Sequence, residues 1–330
     1  MTKYKFLKQH NLKQIYNLIY INSYKNLKNN SLSMKHKSYV DVLVLRGQQH
    51  IINELMKLKK LKITPHMAFG HEANAVAIQK TFNKKDNLIL THRNIAFNLA
   101  FEKNNLKKFI DEFNLKNTGI NKGKNGSMNI INPHKGILYT SSILGNNFSI
   151  ALGISIKNKI IDKNNNFTYV LTGDGALEEG SFTETLIISR KFSSRLIILI
   201  ENNNFAMAST ILQRRNEIKL KKVADAYDLN YLKLSNRDVN KYISEINKFK
   251  KKILINNKPG IIEFETKMYN NHAGATPGWP TDQLNININN GLVIEKTNND
   301  PAFVSKNYLS DKLIKKITLK IKKINTQFSK

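Results

Sequence analysis

FTYVLTGDGALEEGSFTETLIISRKFSSRLIILIENNNF, residues 167–205, is the stretch that decides the fold. Residues 167–171 (FTYVL) and 195–200 (RLIILI) are short apolar runs, as expected of strands buried on both faces. Between them Gly173-Asp174-Gly175 makes a sharp turn. Residues 179–192 fit a helix, with acids at its start and bases at its end, as the helix dipole prefers. Strand, helix, strand with apolar strands is a βαβ unit. The expected class is α/β, a mostly parallel sheet with helices on both faces.

Both strands of such a unit point the same way, so the turns that follow them lie side by side at one sheet edge, where open α/β sheets bind ligands. Asp174 follows the first strand and Asn203 the second, 29 positions later. This brings a carboxylate beside an amide oxygen. Hard oxygen donors of low total charge suit Mg²⁺ or Ca²⁺ when the ligand supplies phosphate oxygens as well. Gly173 and Gly175 allow the close backbone approach that a diphosphate needs.

Outward from this unit, residues 261–264 read as a further strand and 86–90 as another. Residues 70–84 read as a helix burying Ala73, Val76, Ala77 and Phe82. Val42, Leu45, Ile51, Ile52, Leu55 and Leu58 fall at helical spacing across 38–61. Residues 117–136 are rich in Gly, Asn and Lys and read as a long functional loop, mobile until a ligand binds. Residues 309–328 read as a basic amphipathic helix on the surface. Residues 1–40 hold eight Lys and no acid and form a basic extension, with residues 41–330 as the binding domain.

Composition excludes several chemistries. There is no cysteine, so disulfides, thiolate metal sites and cysteine nucleophiles are out. No apolar run reaches the ~18 residues of a membrane span. The net charge is +29, yet only seven of the 53 basic residues are Arg. A selected phosphate-binding surface favours Arg for its planar fork. Lys on a background of Asn and Ile reads instead as the drift of an AT-rich genome. A basic nucleic-acid-binding protein is the rival class, and only Arg214-Arg215 approaches the Arg clustering it requires.

Gly173-Asp174-Gly175, 26 residues, then Asn202-Asn203 is the thiamine diphosphate motif. The fuller string resembles the alpha subunit of the 2-oxo acid dehydrogenase first component (E-one), of pyruvate, branched-chain 2-oxo acid or acetoin type. PHMAFGHEANAV (65–76), ILTHRNIAFNLA (89–100), GKNGSMNI (123–130), SSILGNNFSIALGIS (141–155) and PGIIEFETKMYNNHA (259–273) resemble further segments of that family in unbroken order.

The resemblance implies a thiamine-diphosphate-binding fold and assigns roles. Asp174, Asn203 and the carbonyl of Phe205 would ligate Mg²⁺. Gly173, Gly175 and Ala176 would face the diphosphate. Arg93 would clamp a phosphate, with His92 beside it in a Tyr-or-His position. Ser142 and Leu144 would hold the aminopyrimidine and prop the cofactor bent. His66 would lie near the reacting carbon, and His272 near the diphosphate, both as candidate catalytic groups. Ile95, Asn129, Met268 and Thr276 depart from the family's usual His, His, Arg and Asp, which bears on substrate and acyl acceptor.

The implied activity is oxidative decarboxylation of a 2-oxo acid with acyl transfer to a lipoyl group on a separate acyltransferase. Cleavage of acetoin or another acyloin is the alternative, and a scaffolding subunit a further one. The family's pyrimidine-activating Glu lies on a beta subunit, so the implied assembly is an α₂β₂ heterotetramer. The expected compartment is a bacterial cytoplasm; an organellar matrix or plastid is also compatible with the basic N-terminus.

Overall fold

The computed structural model describes residues 34–102, 105–207, 209–270, 272 and 294–314. Its centre is a six-stranded parallel sheet of β1 (Asn87–Thr91), β2 (Ile137–Ser141), β3 (Thr168–Gly173), β4 (Leu196–Asn202), β7 (Asn230–Leu234) and β8 (Gly260–Glu265), in the order β2-β1-β3-β4-β8-β7. A two-stranded antiparallel ribbon, β5 (Phe205–Ala206) with β6 (Ser209–Thr210), follows β4.

Strand side chains alternate between two cores because successive Cβ atoms point to opposite faces. Tyr169, Leu171, Ile197, Leu199, Ile262 and Phe264 enter one core. Val170, Leu196, Ile198, Ile200 and Ile261 enter the other. The first core is covered by helices that include α1 (Met34–Lys57), α2 (Glu72–Thr81), α3 (Ile95–Phe101), α4 (Leu106–Phe113), α9 (Val239–Asn256) and α10 (Pro301–Lys306). The second is covered by α5 (Asn146–Ile160), α6 (Gly180–Lys191) and α8 (Leu220–Ala226); α7 (Ile211–Arg214) is a single turn after the ribbon. Burial on both sides explains why the central strands read as unbroken apolar runs.

The helix expected over 38–61 runs from Met34 to Lys57, so it is continuous through residue 40, and Ser38, Tyr39 and Val40 are already buried. The basic helix expected over 309–328 lies largely outside the described residues, as do most of residues 1–40 and Thr276.

One buried charge cluster positions the site from behind. Arg46 of α1 donates from Nε to Glu72 at 2.6 Å and from Nη2 to Asp300 at 2.8 Å, all three side chains fully shielded. Glu72 also accepts the Gly70 N–H at 2.9 Å. Gln49 accepts the Ala68 N–H at 2.9 Å, and Asn270 accepts the Phe69 N–H at 3.0 Å. The 66–70 segment is thus held from α1 on one side and from the chain after β8 on the other. Gly70 has φ +98°, and a Cβ there would lie 2.0 Å from the Lys267 carbonyl oxygen, so only glycine fits between these segments.

Candidate active site

The carboxyl ends of β1, β2, β3, β4 and the chain after β8 open onto one cavity of about 240 Å³. Its lining includes His66, His92, Arg93, Ser142, Leu144, Gly173, Gly175, Ala176, Asn203, Phe205 and His272. With the 66–70 segment, six separate segments bring together most of the residues singled out in the sequence; Asp174 itself does not line the cavity.

The pairing of β3 with β4 sets Gly173 opposite Glu201, which places Asp174 beside the Asn202-Asn203 turn. Asp174 is 1% exposed, and its Oδ1 has no hydrogen-bond partner among the described residues. Burial pushes its carboxyl above the ordinary range, and Arg214 pulls it back only in part. A buried, incompletely paired carboxylate is an energetic liability that a cation relieves. Asn203 Oδ1 accepts the Phe205 N–H at 3.0 Å, which tightens the turn. A carboxylate, an amide oxygen and a backbone carbonyl form the hard donor set that fits Mg²⁺. Gly175 is required here because a Cβ would lie 2.7 Å from the Cβ of Ala206.

Arg214 is a participant that the sequence did not reveal. Its Nη2 donates to Asp174 Oδ2 at 2.8 Å, and its Nη1 pairs with Glu178. Arg215 donates from Nε to Glu178 at 2.9 Å and from Nη2 to the Asp174 carbonyl at 3.1 Å. The chain's only Arg-Arg pair is spent on the turn that carries Asp174. It is not presented as an anion-binding surface, which removes the one feature that favoured nucleic acid. Glu178 anchors this pair. No sequence signal marks the arrangement, because Asp174 and Arg214 are 40 positions apart and meet only through the turn of α7.

Arg93 is buried and donates from Nη1 to the carbonyls of Met67 at 2.5 Å and His272 at 2.8 Å. It lies beside three imidazoles. The His66 ring centroid is 4.9 Å from that of His92 and 4.7 Å from that of His272, edge-on to both. Burial first, then neighbouring positive charge including Arg93, lowers His66 and His92 to about 3 and His272 to about 4. All three are neutral at pH 7.

Below the ordinary value of 6.5 the unfolded chain takes up protons that these folded histidines refuse. Their contribution to stability is fully present above pH 6.5 and is lost progressively as pH falls toward 4. The urea midpoint should drop between pH 6.5 and 5, and drop less steeply in His66→Asn. Equal slopes for the two proteins over that window would show that His66 is not held neutral.

Ser142 is half-buried and Leu144 is exposed on the cavity wall, both just after β2. Five cavity-lining residues had no role assigned from the sequence: Thr91, Met128, Glu201, Ala206 and Met207. Glu201 ends the apolar run of β4, is 4% exposed, accepts from Asn74 Nδ2 at 3.0 Å, and lies 2.8 Å from His71 Nδ1. Its charge partly offsets the effect of burial on Arg93. An acid closing a buried strand was the available signal. Met207 has only its cavity contact to identify it.

The departures from the family pattern fall in different surroundings. Ile95 is a core residue at the start of α3, Asn129 is exposed, and the Met268 Sδ lies 4.0 Å from Asn203 Nδ2.

The long loop over 117–136 is internally stapled rather than loose. Glu112 accepts the N–H groups of Asn121 and Gly123 at 2.8 Å and of Asn125 at 2.9 Å. Ser127 donates to the Thr64 carbonyl at 3.0 Å and accepts Asn94 Nδ2 at its own carbonyl, also at 3.0 Å. Glu112→Gln replaces an acceptor oxygen with a donor facing N–H groups. It should cost about 2 kcal/mol, in line with charge-assisted bonds, and expose the loop to trypsin at Lys122 and Lys124. Unchanged cleavage would show that the loop is held by something other than this carboxylate.

Comparison with known proteins supplies the family. A profile described as "Dehydrogenase E1 component" matches residues 41–324. A pyruvate dehydrogenase E1 component subunit alpha of Rickettsia bellii is 23% identical over 241 residues, 73% of each chain. A mitochondrial subunit of the same name from Kluyveromyces lactis is 25% identical, covering 78% of this chain and 60% of that protein. Among solved structures, a Pichia stipitis transketolase superposes with TM-score 0.55 at 16% identity, covering 90% of this chain and 44% of that one. A second transketolase structure from that organism gives TM-score 0.53 at 16% identity, over 71% of this chain and 36% of the other. At this identity the likeness speaks for the fold alone, and the chain spans less than half the length of the transketolases. With most of its length matched by one profile, the chain belongs to the dehydrogenase E1 component family, as one of its alpha-type members.

Proposed function

We propose that the chain is the alpha subunit of a thiamine diphosphate-dependent 2-oxo acid dehydrogenase and holds the diphosphate end of a site completed by a beta subunit. The observation that carries this reading is the convergence of Gly173, Gly175, Asn203 and Arg93 from separate strand ends on one cavity, with Asp174 buried between the two lining glycines. Asp174, Asn203 and the Phe205 carbonyl hold Mg²⁺. The backbone at Gly173, Gly175 and Ala176 lets the diphosphate approach, and Arg93, with His92 beside it, adds positive charge. Ser142 and Leu144, on the cavity wall, would hold the ring portion. When bound, the cofactor supplies an electron sink that lets carbon dioxide leave a 2-oxo acid.

The chain's own residues then act on protons and orientation. His66 and His272, neutral at pH 7, can each accept or donate a proton near the reacting centre. Arg93 is held by two carbonyls, so its charge is fixed before substrate arrives. The acyl group passes to a lipoyl group on a separate acyltransferase. The binding domain takes in α1 from Met34, and the basic residues before it form the extension.

A beta subunit is supported by apolar side chains left on the surface. Ile143 and Leu144 after β2, Ile150 on α5, and Ile187 and Ile188 on α6 are all exposed, Ile143 by 67%. A lone subunit gains nothing from that exposure, whereas an α₂β₂ interface would bury it. No described helix is long and apolar enough to cross a membrane. A bacterial cytoplasm or an organellar matrix suits the assembly.

The test is reconstitution with a cognate beta subunit and assay of pyruvate, branched 2-oxo acids and acetoin, using an artificial electron acceptor. Turnover of a 2-oxo acid is expected. Turnover of acetoin alone would replace the substrate class.

A further inference from the structure

Three imidazoles reach the cavity from three distant segments. His66 lies before α2, His92 directly after β1, and His272 beyond β8. One ring nitrogen from each lies within 4.8 Å of the other two. We propose that His66, His92 and His272 form a site for a borderline transition-metal dication, of which Zn²⁺ is the type, with one coordination position open to the cavity.

The donor chemistry separates this site from the oxygen set around Asp174. Imidazole nitrogen suits Zn²⁺, Ni²⁺, Cu²⁺ and Fe²⁺, whereas Mg²⁺ selects carboxylate, carbonyl and phosphate oxygens. Three histidines with a fourth position left open is an arrangement that Zn²⁺ accepts in tetrahedral coordination. With Zn–N bonds of about 2.0–2.1 Å, tetrahedral ligand nitrogens stand about 3.3 Å apart. The widest separation of 4.8 Å must therefore close by about 1.5 Å, through rotation about side-chain bonds.

Individual atoms favour the site. His66 Nδ1 is buried with no hydrogen-bond partner among the described residues. His92 Nδ1 lies 3.2 Å from Thr91 Oγ1, which orients the ring and leaves Nε2 to ligate. His272 Nδ1 lies 3.4 Å from the donor Arg93 Nη2, so ligation by this ring requires the contact to open and the imidazole to present a lone pair to the metal. The neutral form that all three hold at pH 7 is the form that binds metal.

Arg93 is the opposing influence, a guanidinium beside the site. Its Nη1 is committed to two carbonyls, and Glu201 and Asp174 offset part of its charge. Its presence also selects the fourth ligand, since an anion there, such as hydroxide, carboxylate or phosphate, faces a positive neighbour. The inference does not depend on the thiamine reading.

The test uses the full metal-free chain, with no thiamine diphosphate or Mg²⁺, titrated with Co²⁺ as a spectroscopic stand-in for Zn²⁺. One equivalent should give the intense visible spectrum of tetrahedral cobalt, and Zn²⁺ should bleach it. His92→Tyr and His66→Asn should each weaken binding by at least about 10-fold. His134→Gln, on the exposed turn before β2, should bind as the parent does. Circular dichroism checks that the variants fold. A Zn²⁺-induced rise in the parent's melting temperature supplies a readout that needs no variant. A weak octahedral-type spectrum, the same affinity in both site variants, or no thermal shift overturns the proposal. None of these results bears on thiamine diphosphate binding with Mg²⁺, which is measured separately.

Discussion

Asp174→Ala is expected to weaken Mg²⁺-dependent binding of thiamine diphosphate by about 100-fold or more. Asp174 supplies the only formal negative charge in the proposed donor set; Asn203 and the Phe205 carbonyl contribute dipoles. Removing one member of a buried, paired charge set typically costs about 3–5 kcal/mol, and each 1.4 kcal/mol is tenfold in affinity. Arg214 sharpens the expectation. In the parent it already pairs with Asp174 Oδ2, so the metal gains Oδ1 and competes for Oδ2. Arg214→Gln should therefore tighten Mg²⁺ binding, in the direction opposite to Asp174→Ala. Calorimetry with the cofactor, at zero and saturating Mg²⁺, reads both variants. Unchanged affinity in Asp174→Ala would mean that the metal lies elsewhere.

The chain without a beta subunit should be catalytically inert toward 2-oxo acids, even when it binds the cofactor. In the family it resembles, the carboxylate that activates the cofactor's pyrimidine belongs to the beta subunit. Glu201 is the one carboxylate whose residue lines the cavity among the described residues, and it is already engaged by Asn74 and His71. Positioned general acid–base help is worth roughly 10²–10⁴-fold, and orientation of the diphosphate does not replace it. Adding a beta subunit should restore decarboxylation by at least that factor. Ordinary enzymatic turnover by the purified chain alone would falsify the shared-site reading.

Most of what positions the diphosphate end was legible in the linear sequence, for a physical reason. A strand buried on both faces must be apolar along its whole length, so residues 167–171 and 195–200 announced themselves. The turns at their ends then had to be neighbours. The edge strands β2 and β7 carried no such signal, because each has one neighbour and exposes part of its length: Leu138 in β2 and Lys233 in β7 face solvent. The 117–136 loop was legible as a loop, but its staple was not. Glu112 is an ordinary acid in a helix until the fold brings three backbone N–H groups to it.

The sequence by itself determined the parallel α/β sheet and the Asp174–Asn203 juxtaposition, because each rests on local periodicity or on one crossover of fixed length, and its motifs carried the resemblance to the family. Tertiary structure alone decided the rest. It turned Arg214 and Arg215 onto Asp174 and Glu178, placed Glu201 beside His71, and gathered His66, His92 and His272 into one cluster. Those contacts join residues 26 to 206 positions apart in the sequence, where no periodicity links one side chain to the other. Only the packing of separate strand ends around a common cavity makes them neighbours, and the low dielectric of that cavity gives their charges and lone pairs consequence.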